Sequence, residues 1–230
     1  MQNYVITIAR GFGSGGKALG MRLANELGIA CYENRILALA SKMTGKDTAE
    51  LIEIDEKLRS GAFHALLRSL PGKKEPNPVL KKFESDEEIF QAQCEIIKDL
   101  ARKESCIIIG KCADYVLKDF DNVVSFYIEA PRKYCLERIT KRMNVDEEEA
   151  AKLIEKTDKY RADYYAYYTN GNYWTNPVNY DMTFNMDRVG EDKCIEVIKN
   201  YLKLKFGEEV IIPKTTDESP NLYTFAEQKK

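Results

Sequence analysis

The 230-residue chain predicts a three-layer α/β/α protein, with helices on both faces of a parallel central sheet. Three observations predict it. Apolar runs rich in Val, Ile, Phe and Tyr alternate with longer amphipathic segments. Strand, helix, strand, helix in that order calls for parallel strands joined by crossover helices. Finally, "ARGFGSGGK", "GKCAD" (Gly110–Asp114) and "EAPRKYCLER" (Glu129–Arg138) each follow a predicted strand. Such turns converge at the carboxyl edge of a parallel sheet, where ligands bind.

Asn3–Ala9 is the first buried strand, and "IACY" a short second one. Between them a helix is expected from Gly16 to Leu27, with Leu19, Leu23 and Leu27 spaced by four and Gly28 closing it. Residues 34–70 carry helical patterns broken at Thr44-Gly45 and Ser60-Gly61, and "PGKKEPNP" (Pro71–Pro78) is a proline-rich loop. Asp86–Lys103 reads as an amphipathic helix capped by Asp86. "SCIIIG" and "NVVSFYIEAP" are buried strands, the latter ending at Pro131. A helix over Arg132–Met143 precedes another, capped by Asn144 or Asp146 and running to about Tyr168. "NYDMTFNM" is the last strand and Gly190–Leu204 the last helix. Residues 1–205 thus form one domain, and 206–230 a polar tail or arm.

Composition excludes several function classes. Hydrophobic residues make up 44% and charged residues 31%, with a net charge of −2, so a general affinity for nucleic acid or anionic membrane is not expected. The six cysteines form no Cys-x-x-Cys pair, and His64 is the one histidine that could join them, which argues against zinc. They read as reduced thiols of a cytoplasmic protein. The start lacks signal-peptide features, and no apolar run approaches the ~20 residues of a membrane span.

The chemistry concentrates in "ARGFGSGGKALG" (Ala9–Gly20). It reads as Gly-x4-Gly-Lys (Gly11, Gly16, Lys17), a loop whose backbone N–H groups and lysine cradle a triphosphate. It also reads as Gly-x-Gly-x-x-Gly (Gly11, Gly13, Gly16), a dinucleotide turn with Glu33 as its ribose ligand. A plain glycine turn is the third reading. Lys17 has a task only in the first. Ala18 and Leu19 follow the lysine where a Mg²⁺-binding hydroxyl is usual, leaving Ser14 or water to substitute.

"ITIARGFGSGGKALGMRLANELG", "CIIIGKCADYVL", "DKYRADYY" and "YDMTFNM" together resemble the cytidylate-kinase-like family of P-loop nucleoside-monophosphate kinase relatives, over about Tyr4–Leu202. The resemblance implies the P-loop NTPase fold, with a helical acceptor-binding insertion at about 34–85 and a lid at about 138–175. It implies ATP-dependent phosphoryl transfer, with Mg²⁺, to a nucleoside monophosphate or similar small acceptor. Gly11, Gly13, Ser14, Gly15, Gly16, Lys17 and Ala18 match the phosphate loop. Gly110-Lys111 stands where relatives carry Gly-Arg, and Asp158 and Arg161 match an Asp-x-x-Arg element that contacts the acceptor. Arg138 and Arg142 fall where lid arginines are expected. "YENR" (Tyr32–Arg35) departs from the Asp-Ser-Gly element of true cytidylate kinases, leaving CMP itself in doubt as acceptor.

Lys17, Arg138, Arg142 and Arg161 are therefore the expected catalytic cations, and Lys111, Asp158 and Arg161 the acceptor group. Each has a plainer alternative: Arg138 and Arg142 a solvated helix face, Arg161 a salt bridge to Asp158, Lys111 a surface lysine. Arg10 either touches phosphate or braces the loop. Asp114 is a candidate for water-mediated Mg²⁺ contact or a first-turn acid. Tyr160, Tyr164, Tyr165, Tyr167, Tyr168, Tyr173 and Trp174 form either a base-stacking surface or a packing stripe. The metal ligands are not identified by sequence. A nucleotide-binding regulatory module without transferase activity and a dinucleotide-dependent oxidoreductase are the rival functions. The tail reads either as a disordered end or as an arm that pairs two copies of the chain in a homodimer.

Overall fold

A computed structural model of the chain describes residues 3–45 and 86–211. Strands β1 (Val5–Arg10), β2 (Ala30–Tyr32), β3 (Cys106–Ile109), β4 (Val123–Glu129) and β5 (Met182–Asn185) form one sheet in the order β2-β3-β1-β4-β5. Every ladder is parallel, and Val5 of the central strand sits opposite Cys106 on one side and Val123 on the other. Neighbouring residues of a strand face opposite sides of a sheet, so each apolar run supplies two cores. Ile6, Ile8, Ile107, Ile109, Phe126 and Ile128 face one side, and Val5, Cys106, Ile108 and Val123 the other.

Helix α1 (Gly16–Leu27) packs Leu19, Leu23 and Leu27 on the first side. With it pack α5 (Arg132–Met143), α6 (Glu147–Tyr168) and α8 (Glu191–Phe206). Helices α2 (Asn34–Thr44) and α3 (Glu87–Lys103) and the single turn α4 (Ala113–Val116) cover the second side. Another single turn, α7 (Met186–Val189), joins β5 to α8. Fully buried Ile and Leu side chains such as Ile6, Ile8, Leu19 and Ile97 each contribute about 1.5–3 kcal/mol of hydrophobic stabilisation.

The strand order overturns the dinucleotide reading. In dinucleotide-binding sheets the second strand lies beside the first, so its terminal acid reaches the ribose. Here β3 separates β1 from β2. Helix ends also differ in detail from expectation. Asp86 stands at the start of α3 without a side-chain cap bond, whereas Asp146 caps α6 by accepting from Glu149 N at 2.8 Å. Helix α8 runs on to Phe206, past the expected end at Leu204.

Most of the aromatic stripe is a packing device, whereas Tyr173 is exposed. Tyr165, Tyr168 and Trp174 are buried together with Phe90, Tyr127 and Tyr180, and the Phe90 and Tyr168 rings stack 3.8 Å apart. The start of the tail folds back on its own chain: Phe206 stacks on Tyr4 at 6.0 Å, and Val210 is buried. All six cysteines are free, and burial pushes their thiols up. His64, the Pro71–Pro78 loop, the 34–85 insertion beyond residue 45 and the tail beyond residue 211 lie outside the described residues. No described helix is long and apolar enough to cross a membrane.

Candidate functional site

The loop after β1 leads to α1 at the point where connections leave the sheet in opposite directions, one toward β2 and the other from β4 toward β5. Gly11 N donates to Ile128 O at 3.1 Å, tying the loop to β4. Gly13 and Gly15 then hold φ at +90° and +95°, a region that side-chain-bearing residues avoid. Gly16 starts the helix against the sheet, where a Cβ would lie 2.6 Å from Arg10 Cβ and 2.9 Å from Ile128 Cβ. These constraints explain why glycines stand here, independent of any ligand.

The same geometry leaves donors facing outward. Ser14 N, Phe12 N and Gly16 N are taken by Gly11 O, Asp158 Oδ1 and Ser14 Oγ. The N–H groups of Gly13, Gly15, Lys17 and Ala18 have no acceptor among the described residues. All four residues line a cleft of about 600 Å³. A helix N-terminus with outward N–H groups attracts an anion. Around it stand Arg10, Lys17, Arg138, Lys141, Arg142 and Arg161, and among the described residues Glu33 is the one carboxylate of the lining. In a chain of net charge −2, this is a strong local concentration of positive charge.

Five of these cations have identified contacts. Glu33, at the end of β2, bridges two of them: Oε2 meets Lys17 Nζ, and Oε1 accepts from Arg10 Nη2 at 3.3 Å. The Arg138 guanidinium lies beside the loop, with Nη2 3.5 Å from where a Gly15 Cβ would be, and rests over Tyr134. Arg161 Nη1 donates to Arg10 O at 3.2 Å and stands 3.7 Å from Asp158. Arg142 and Arg161 both lie over the Phe12 ring, at 5.5 and 5.6 Å.

Lys17, Arg138, Arg142 and Arg161 therefore meet at one cleft with Gly11, Gly13, Gly15, Gly16 and Ala18. Ser14 does not line it. Its hydroxyl is fully buried and donates to Gly11 O at 2.9 Å, so it cannot replace the missing metal-binding hydroxyl. Asp158 is engaged with the loop: Oδ1 accepts from Phe12 N at 2.8 Å, and burial raises its pKa against the opposing pull of Arg161. Lys111 is outside the lining and sits in a run of positive φ with Gly110 and Cys112, at 73°, 60° and 53°. Backbone of that kind is strained for side-chain-bearing residues. Asp114 is buried and accepts from Tyr165 OH at 2.7 Å; burial pushes its carboxyl up to about 6. It is a structural tether, away from the cleft.

Sequence reasoning missed Phe12, Glu33 as a partner of Lys17, and Lys141. Glu33 is visible in the sequence as an acid after a short strand, but it has a place only in the dinucleotide alternative, as a ribose ligand. Lys141 precedes Arg142 in a basic turn, and its signal was the charge run itself. Directly after Glu33, Asn34 Oδ1 and Arg35 Nη2 are buried without a hydrogen-bond partner. Among the described residues no three His, Cys, Asp or Glu side chains cluster as a metal-holding group.

The chain matches the model of the cytidylate kinase-like family over residues 5–188. No curated protein gives a significant match. Among solved structures, an uncharacterized protein from Eubacterium ventriosum is similar at 25% identity and a TM-score of 0.63, over 87% of this chain and 99% of that one. Shikimate kinase from Bacteroides thetaiotaomicron is similar at 13% identity and a TM-score of 0.48, over 87% and 98% of the two chains. A sugar kinase from a Janibacter species gives 14% and 0.48, over 91% and 99%.

Proposed function

Because the chain belongs to the cytidylate kinase-like family, we propose that its cleft binds ATP and transfers the γ-phosphoryl group to a nucleoside monophosphate or similar small acceptor. The observation that carries this reading is the ring of six cations around four outward N–H groups at the start of α1. Phosphoryl transfer asks little covalent chemistry of a protein. It asks for in-line placement and for positive charge where negative charge moves.

In this reading the N–H groups of Gly13, Gly15, Lys17 and Ala18 hold the phosphate chain, and Lys17 turns from Glu33 onto it. Arg138, Arg142 and Arg161 neutralise the transferring group. Lys111, at the end of β3, and Arg161 receive the acceptor, with Asp158 orienting Arg161. The buried, unpartnered Asn34 Oδ1 and Arg35 Nη2 support an acceptor side rich in polar groups. The three arginines come from the segment at about 138–175 that the resemblance marks as a lid; α6 within it is packed into the core, so closure over the acceptor would fall to the parts of that segment outside α6.

The donor set fits a Mg²⁺ ion that keeps most of its waters and takes one carboxylate besides phosphate oxygens. Glu33, the lining carboxylate now paired with Lys17, would be the residue to hold it. The ion would add charge neutralisation to that of the arginines.

The test is incubation with Mg-ATP and a panel of nucleoside monophosphates and small phosphorylatable metabolites, beside a Lys17→Ala variant. Acceptor-dependent ADP formation that disappears in Lys17→Ala is expected. ATP binding without turnover of any acceptor would replace this reading by a nucleotide-binding module, which the lack of a hydroxyl at Ala18 favours.

A further inference from the structure

Lys141 lines the cleft from the last turn of α5. It follows Arg138 by three residues and adjoins Arg142, so the three cations share one side of the helix, and all three are in the lining. An exposed lysine near the end of a helix has two ordinary partners, an acid four residues earlier and the carbonyls of the last turn. Both are within reach here. Glu137 stands four residues before Lys141, in the favourable order with the acid first. Other lysines of the chain take such a partner: Lys152 meets Glu148 at 2.5 Å, and Lys103 meets Asp99 at 2.7 Å. Lys141 takes neither, and it makes no hydrogen bond or ion pair with any described residue. Glu33, the one carboxylate of the described lining, is already bound to Lys17 and Arg10.

We propose that Lys141 is a phosphate-binding residue, its ammonium contacting the polyphosphate chain held by the glycine loop. The inference rests on the reading of this cleft as a phosphate site, and it adds a contact on the donor side. Lys141 shares the lining with Gly13, Gly15, Lys17 and Ala18, whereas Lys111 and Asp158, expected at the acceptor, lie outside it. An ammonium is a compact charge with three rotatable donors on a flexible stem. It needs no fixed plane, so it can meet phosphate oxygens from the rim of the cleft. Lys17 has to leave Glu33 before it meets a phosphate, and that exchange offsets part of its attraction. Lys141 breaks no ion pair, so its attraction for the anion is not reduced in this way. A lysine that forgoes a well-placed helical acid and faces an anion site is a ligand contact rather than a part of the helix surface.

The plain alternative is a solvated lysine whose charge acts only at a distance. Lys133 provides the control, since it is exposed on the same helix, carries the same charge and lies outside the lining. In a calorimetric titration with metal-free inorganic triphosphate, Lys141→Met is expected to weaken binding about three- to tenfold, and Lys133→Met less than about twofold. Lys141→Arg, which keeps the charge, is expected to retain most of the affinity. Glu137→Gln is expected to leave it unchanged, because Glu137 does not hold Lys141. A second readout follows the amine itself. Acetylation of the wild-type protein, read by mass spectrometry, is expected to slow at Lys141 by about threefold or more when triphosphate is bound, and to stay the same at Lys133. A Lys141→Met loss no larger than that of Lys133→Met, unchanged acetylation of Lys141 with triphosphate, or tighter binding by Glu137→Gln would each overturn the proposal. So would a wild-type protein that binds no triphosphate. None of these measurements uses an acceptor. If no acceptor is phosphorylated, the phosphotransferase reading fails, and the triphosphate result still decides the part played by Lys141.

Discussion

Lys17 and Arg10 share one carboxylate, Glu33, at the mouth of the glycine loop. An incoming polyphosphate has to take the place of that carboxylate on Lys17, so the Glu33 contact opposes binding. Glu33→Gln removes the opposing charge and keeps the shape. It is expected to tighten binding of metal-free inorganic triphosphate by about three- to tenfold, equivalent to about 0.7–1.4 kcal/mol, in a calorimetric titration. Unchanged or weaker binding would show that Glu33 does not compete for the loop. Asp158 gives a second residue-level expectation. Its carboxylate satisfies Phe12 N, so Asp158→Ala leaves a donor without partner and should cost about 1–3 kcal/mol in denaturant unfolding. Asp158→Asn, which keeps an acceptor oxygen, should recover most of it. At this scale the sequence was partly legible. Lys17 announced itself by its place after the glycines, and Arg138 and Arg142 by their helical spacing after "EAP". Phe12 gave no signal, because an apolar residue among glycines reads as packing. Its contact with Arg142 and Arg161 depends on helices that lie far along the chain.

Elements carry the next level of the account. Helix α6 is fixed to the loop through Asp158 and Arg161 and to α4 through the Tyr165–Asp114 bond of 2.7 Å. The second tie has a pH signature. Burial raises the Asp114 carboxyl from its ordinary 3.8 to about 6 in the folded protein. Between these values the folded state binds more protons than the unfolded chain, so this group's contribution to stability falls as pH rises and its penalty is complete above about 6. Burial raises Asp158 too, which acts in the same sense. The wild-type thermal midpoint, taken relative to that of Asp114→Asn, is expected to rise as pH is lowered from about 7.5 to about 4.5. The shift corresponds to at most about 3 kcal/mol. A constant difference across that range would mean that Asp114 does not titrate in the folded state. Most elements were legible because long apolar runs and leucine spacing leave few alternatives, as for β1 and α1. The cap of α3 was not, since a side chain can stand at the right position and still turn elsewhere, as Asp86 does.

At the scale of the whole molecule, sheet order decided what the glycine loop could be. The loop satisfies two patterns in sequence, and its glycines are required by backbone angle and close approach in either case. The choice comes from β3 lying between β1 and β2, a non-local arrangement that no local pattern encodes. It comes equally from cations of β1, α1, α5 and α6 meeting at one cleft in a chain of slightly negative net charge. Lys111, by contrast, stands apart from the lining of this cleft. The measurement that tests the account most directly is therefore the fate of the γ-phosphoryl group. ATP labelled at that position is incubated with Mg²⁺, the acceptor panel and either the wild-type protein or Lys17→Ala. Label is expected on an organic acceptor with the wild-type protein and on none with Lys17→Ala. Label that stays on ATP, or leaves only as inorganic phosphate with every acceptor, would contradict the proposal that this cleft transfers phosphoryl groups.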